Sequence, residues 1–270
     1  MRSKDTLAMD TMVDRKTHDV DIEARHASEE IFHDNKYRTQ SNYPHHYQLN
    51  PTYAVFQEMK QLIGDIRGKR VLEYGCGEGW TTVEYAALGG EIDSFDISSV
   101  AIHHARSLLQ NKNYENTCSF KKMAAEQLDY EDEVFDVVVG FAILHHLDLD
   151  KSIPELLRVM KKGAKAYFAE PLGTNPIINL YRRLTPQYRT RDEKPLVLDH
   201  FNTYARRFTE FTHHEYYLTA LFPLGLVYLK LPMPFIQRIN RRCIDLDEWI
   251  LKRFPSLGKY AWYTIVRLVK

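Results

Sequence analysis

The chain has little of what marks a secreted, membrane-spanning or nucleic-acid-binding protein. Its 270 residues include three cysteines, Cys76, Cys118 and Cys243. That is an odd number with no CxxC pair, which argues against a disulfide framework or a structural zinc site and fits a reducing compartment. Buried, inert thiols are expected, and no metal. Lysine plus arginine and aspartate plus glutamate balance at 36 each, so no global field of either sign recruits nucleic acid or an anionic membrane. The N-terminal MRSKDTLAMDTMVDRKTHDVDIEARH lacks an apolar core long enough for a signal peptide, and the expected location is the cytoplasm. The best candidate for an integral membrane segment is Tyr216 to Phe235, but Lys230 and Pro223, Pro232 and Pro234 interrupt it, whereas a span needs ~20 clean apolar residues. It reads instead as a buried strand with flanking loops. Internal repeats and low-complexity tracts are absent.

What is present is an alternation. Asn50-Pro51 announces a helix, and Tyr53, Phe56, Met59, Leu62, Ile63 and Ile66 recur at helical spacing until Arg67-Gly68. Arg70 to Tyr74 is a short strand, followed by a glycine loop and a helical stretch through Ala87. The unit then repeats, with a strand over Glu91 to Asp96 and a helix capped by Ser98-Ser99. Further strands are expected over Ser119 to Met123, Val134 to Leu144, Ala164 to Ala169 and Tyr263 to Val269, with a helix over Asp150 to Met160. Such alternation with short links predicts an α/β fold, a doubly wound, mostly parallel Rossmann-like sheet. Three regions follow: a core over 51–170, an N-terminal flap or lid over 1–50, and a cap with the last sheet strands over 171–270. The flap is expected to bring Tyr37, Tyr43, His45, His46 and Tyr47 over the ligand, with a disordered leader before it.

The loop itself, VLEYGCGEGW, sets Gly75, Gly77 and Gly79 two apart directly after a strand. In an open parallel sheet the ligand sits beyond the carboxyl ends of the strands, at this turn, and glycine lets it approach the main chain. A dinucleotide fingerprint needs a third glycine where this chain has Trp80, so NAD is disfavoured. Glu73 at the strand end would repel a pyrophosphate but suits a cationic amino-acid group. Asp96, seventeen residues past Gly79 at the end of the next strand, suits both hydroxyls of a ribose.

Four segments in order, VLEYGCGEGW, IDSFDISSVAIHHAR, AAEQLDYEDEVFDVVVGFAILHHL and LLRVMKKGAKAYFAEP, make residues 70–171 resemble the class I S-adenosylmethionine-dependent methyltransferases. The resemblance implies S-adenosyl-L-methionine as cofactor. Glu73 and the backbone of Gly75, Cys76, Gly77 and Gly79 would hold its methionine part, Asp96 the ribose, and Ile97 one face of the adenine. Ala125 would meet the adenine edge, and Phe141 would border the sulfonium. The family often has an acid just before the Ala-Glu pair, and here Ala124 stands there, which implies that the adenine is read by backbone alone.

Methyl transfer is an in-line displacement that needs positioning in a dry site, and a base only where a proton is shed. His145, His146 and Glu170 stand at strand ends as candidate bases. Downstream, Tyr181, Arg182, Arg183 and Arg189, with Arg191 and Lys194, suit either an anion clamp or a solvated, ion-paired face. Tyr188, Phe201, Tyr204 and Phe208 suit either a greasy pocket or the core of the cap. Methylation of a small molecule is expected. One substrate class is an anionic acceptor such as a prenyl diphosphate, methylated at carbon with Glu170 as base; this resembles the prenyl diphosphate C-methyltransferases. The other is a phenol or amine methylated at oxygen or nitrogen with a histidine base. A reading of another class is a catalytically silent cofactor-binding partner protein. Nucleic acid is not an expected partner.

Overall fold

Seven strands pair in the order β3-β2-β1-β4-β5-β7-β6 in the computed structural model, which describes residues 22–38, 51–112, 114–186, 189–190, 193–226 and 231–270. The N-terminal helix α1 occupies 22–38. Then follow α2 (Pro51–Ile63), β1 (Arg70–Tyr74), α3 (Trp80–Ala87), β2 (Glu91–Asp96), α4 (Ser99–Gln110), β3 (Cys118–Lys122) and β4 (Phe135–Phe141). Next are α5 (Leu149–Val159), β5 (Met160–Pro171), α6 (Pro176–Leu184), α7 (Leu198–Ala205), β6 (Glu210–Tyr216), α8 (Phe222–Leu226), α9 (Met233–Arg253) and β7 (Tyr263–Val269).

β1 to β5 pair in parallel, while β7 runs antiparallel to both β5 and β6. Alternate residues of each central strand go to opposite faces. Leu72, Val138 and Phe168 join one apolar cluster with α5 and α7, and Val71, Val137, Val139 and Tyr167 join another with α2 and α3. Both faces are therefore covered, which is why these strands read as continuous apolar runs. The site is left at the carboxyl ends of β1, β2, β4 and β5.

Several elements depart from the pattern in the sequence. β4 ends at Phe141 rather than Leu144, because Ala142 takes a left-handed φ of 55° and a 3-10 turn follows over Leu144–His146. α2 ends at Ile63, before Gly64 with its φ of 70°, although Ile66 beyond it is still buried. Beyond Tyr216, the described residues up to Phe235 hold α8 and the start of α9 rather than a buried strand, while 227–230 lie outside the described residues. The strand lies just upstream as β6, at the sheet edge, and Tyr217 with φ 65° turns the chain toward α8. α9, 21 residues long, has only Ile236 and Asp247 buried. Asp247 ties it down by accepting from the N–H groups of Leu218, Thr219 and Ala220 and from the Thr219 hydroxyl, at 2.6–3.1 Å. Among the described residues no helix is long and apolar enough to cross a membrane. The expected leader and Tyr43, His45, His46 and Tyr47 lie outside the described residues, as do Tyr188 and Arg191.

Candidate active site

β1 delivers the chain into a loop whose backbone only glycine follows without strain. Gly75, Gly77 and Gly79 have φ of 63°, 51° and 83°. A Cβ on Gly79 would stand 2.9 Å from the Ala105 Cα, so this glycine lets α3 start against α4. A Cβ on Gly77 would meet the Tyr37 hydroxyl of α1 at 3.0 Å. Gly75, Cys76 and Gly77 line a cavity of about 380 Å³, within the ~300–1,000 Å³ range of small-molecule sites. Burial pushes the Cys76 thiol well up and that of Cys118 up to about 11, so both stay protonated and unreactive at neutral pH.

Glu73, expected to meet the ligand, is turned away from the cavity. Its carboxylate accepts from the hydroxyls of Thr81 at 2.5 Å, Thr82 at 2.6 Å and Ser94 at 2.7 Å. It therefore fastens β1 to β2 and to the first turn of α3, and burial raises its pKa. Asp96 does face the cavity. Its two oxygens accept from Gly77 N–H and Ser98 N–H, both at 2.9 Å. A carboxylate has about four acceptor sites, so two remain for a ligand. Ile97, Ala125 and Phe141 also stand on the cavity wall, as does Ala124. Phe141 packs edge-on to Trp80 and stacks over Tyr263, with ring centroids 5.7 and 6.2 Å away.

At the ends of β4 and β5 the candidate bases separate. Glu170 is 0% exposed and does not line the cavity. One oxygen accepts from Ile143 N–H and Leu144 N–H, each at 2.8 Å, and the other lies 2.7 Å from His145 Nδ1. Glu170 therefore stands behind His145 rather than on the cavity wall, with three of its about four acceptor sites taken. An ionised carboxylate only accepts, so this contact suits a proton on Nδ1 of His145. His145 and His146 both line the cavity.

The substrate-binding cluster expected downstream is not brought to the cavity. Arg182 donates to Leu172 O and Asn179 Oδ1, both at 3.1 Å. Tyr181 and Arg183 are exposed, and the Arg189 guanidinium sits 6.0 Å above the Tyr181 ring. None of these four residues lines the cavity. Phe201 and Phe208 are buried in the core, with Tyr204 packed against it.

Tyr37 of the expected flap does line the cavity, and what the sequence did not disclose is the titratable face of α1 beside it. His26, Glu29, Phe32, His33, Lys36 and Tyr37 all face the cavity. Polar contacts dock the helix: Arg25 to His146 O at 2.6 Å, His26 to Glu126 at 3.1 Å, Glu30 to Lys122 at 2.6 Å, and Ser98 Oγ to Asp34 at 2.5 Å. Glu29 is 4% exposed, with one oxygen 3.4 Å from His33 Nε2 and 3.3 Å from His146 Nδ1. Burial alone would raise its pKa, but the two imidazoles outweigh this and hold the carboxyl well below the usual range. Glu193, from the chain after α6, and Tyr263 complete the wall. The signal available for α1 was the pair Glu29 and His33 at i,i+4 spacing, which shares one helix face.

Comparison with known proteins agrees with this geometry. Residues 72–168 match the family described as "Methyltransferase domain". The chain is 29% identical over 142 residues to a ubiquinone biosynthesis O-methyltransferase of Alkalilimnicola ehrlichii, covering 52% of this chain and 56% of that protein. It is 27% identical over 164 residues to a demethylmenaquinone methyltransferase of Lactobacillus johnsonii, covering 54% and 66%. The matched segments thus span less than two thirds of these relatives. The fold superposes with a TM-score of 0.63 on a Haemonchus contortus phosphoethanolamine N-methyltransferase 2 solved with S-adenosyl-L-methionine, at 17% identity over 88% of this chain and 60% of that one. The glycine loop, Asp96 and the strand ends around them lie within residues 72–168, the part of the chain that is similar to the methyltransferase domain family.

Proposed function

We propose that the protein methylates a hydroxyl-bearing small molecule, with His145 as base and Glu170 as the residue that positions it. The buried Glu170–His145 pair carries this reading: a carboxylate fixed by two backbone N–H groups suits the imidazole tautomer that leaves Nε2 basic. The residues present fit the cofactor. Asp96 keeps two acceptor sites for ribose hydroxyls, the loop of Gly75 to Gly77 offers close backbone approach, and the faces of Phe141, Tyr263 and Trp80 suit a sulfonium. Bound S-adenosyl-L-methionine supplies the methyl group as an electrophile. His145 Nε2 takes the proton of the acceptor hydroxyl, while the walls from α1 and α2 exclude water.

An anionic acceptor such as a prenyl diphosphate has less support. Among the described cavity residues Lys36 is the one lysine or arginine, beside Glu29, Glu78, Asp96, Glu126 and Glu193. The test offers phenols, amines and prenyl diphosphates to the protein and follows demethylated cofactor. His145→Ala should lower turnover of a phenol by about a hundredfold or more, with cofactor affinity within twofold. Equal turnover removes the base. Cofactor binding without demethylated product from any acceptor leaves the silent binding partner as the better reading.

A further inference from the structure

The polar wall facing the cavity from α1 contains more than a hydroxyl acceptor and one base require. Two triads of metal-binding type lie there, Glu29-His33-His146 and His145-His146-Glu193, the donor atoms of each within 4.8 Å of one another. Glu29 and His33 share one face of α1 and lie opposite the 3-10 turn that carries His146. The Arg25 bond to His146 O holds helix and turn in register.

Two observations separate the first triad from an ordinary ion-paired cluster. Neither oxygen of the buried Glu29 nor His146 Nδ1 makes a well-aligned hydrogen bond among the described residues, and the carboxylate is met only by the two imidazoles at 3.3–3.4 Å and by the Thr190 side chain; such groups are costly to bury unless something takes them up more closely. Two of the three donor spacings are also those of ligands on one ion, and the third is within 4.8 Å. Bonds of about 2.0–2.2 Å to imidazole nitrogen and carboxylate oxygen place neighbouring tetrahedral ligands about 3.3–3.5 Å apart. Glu29 Oε2 stands 3.4 Å from His33 Nε2 and 3.3 Å from His146 Nδ1, whereas a charge-assisted hydrogen bond would close to about 2.7–2.9 Å.

We infer that Glu29, His33 and His146 bind a divalent transition-metal ion that bridges α1 to the turn after β4. Two imidazoles and one carboxylate favour zinc, cobalt, nickel or ferrous iron over magnesium, which takes oxygen ligands. His145 is left free to act as base, and a fourth position is left toward the cavity. The ligand class suited to that position is a hydroxyl, whose proton a bound metal makes easier to remove. This last use rests on the proposed methyl transfer; the ion site itself does not.

The test titrates the full-length protein with Co²⁺ and reads the visible absorption of the ion. One equivalent should give a saturable band of the intensity typical of four-coordinate cobalt, bleached by Zn²⁺, and the melting temperature should rise with it. Glu29→Gln, which keeps the shape of the side chain, and His33→Ala should each weaken the ion by at least tenfold. His213→Ala, on β6 beside Glu215, should leave it unchanged. No saturable band in the wild type overturns the site. So does a band that persists at wild-type affinity in both α1 variants. Neither reading depends on turnover, so failure of the methyl-transfer proposal and failure of the ion site are seen separately.

Discussion

A flap over 1–50 and a cap over 171–270 were both expected over the ligand, and of their helices α1 lines the cavity while α6 does not. α1 meets the strand ends with charged and polar side chains, and six of its residues face the cavity. α6 has no buried residue, and Ile177, Leu180, Tyr181 and Leu184 are exposed. Its cap explains the divergence. Asn175 Oδ1 accepts from Ile177 N–H and Ile178 N–H while its Nδ2 donates to Tyr260 O, so the helix starts toward the chain before β7. Proximity in sequence to the end of β5 therefore did not place the arginines in the site. A helix more than thirty residues ahead of β1 supplies its titratable wall.

If that contrast is right, changes at the junction of α1 and the glycine loop should have the largest effects. Gly77→Val forces a β-branched residue to a φ of 51°, a strain of about 1–3 kcal/mol, and drives its Cβ against the Tyr37 hydroxyl. Cofactor affinity measured by calorimetry should fall more than about a hundredfold, and backbone amides of 22–38 should exchange faster. Retained affinity would mean that the loop does not meet the ligand. Asp96→Ala comes next. It removes the ribose acceptor and leaves Gly77 N–H and Ser98 N–H without one, a loss of about 1.5–3 kcal/mol for a charge-assisted bond, or roughly tenfold to over a hundredfold in affinity.

The sheet and the loop were legible because they are local. Val71-Leu72 and Val137 to Val139 are apolar since both faces are covered, Ser98 caps α4 through Ala101 N–H, and the glycines follow their strand directly. What was not legible depends on partners far apart in sequence. Glu73 turns inward because Thr81, Thr82 and Ser94 converge on it from two other elements. Glu170 looks like a base at a strand end until the β4 turn folds two N–H groups and His145 onto it. The polar face of α1 was not legible because its partners, Ser98, Lys122, Glu126 and His146, come from the ends of three separate strands, β2, β3 and β4. β6, EFTHHEY, lacks an apolar run because it is an edge strand with one neighbour.

A smaller effect sharpens the comparison by loosening each helix in turn. Asp34→Ala removes the acceptor of the Ser98 hydroxyl and Asn175→Ala removes the α6 cap, each a loss of about 1 kcal/mol. Hydrogen exchange should rise about fivefold locally in both. Only the α1 change should weaken the cofactor, by a few-fold, since only α1 covers it. A matching loss from Asn175→Ala would show that α6 reaches the site after all.

The smallest effect falls on the arginines themselves. Arg183 is exposed and has no place on the cavity wall, so Arg183→Ala should change kcat and KM for any accepted substrate by less than about twofold, within the ordinary surface range of ±0.5 kcal/mol. Arg182 differs, since it is half-buried and bonds Leu172 O and Asn179 Oδ1. Arg182→Ala should lower the melting temperature while leaving KM near wild type, the signature of a structural bond rather than of substrate binding. Running both variants against a neutral phenol and a prenyl diphosphate settles which helix meets the acceptor. A tenfold rise in KM for the diphosphate alone, in Arg183→Ala, would return the anion clamp to α6, because a contact with a remote charged group binds ground and transition states alike and appears in KM before kcat.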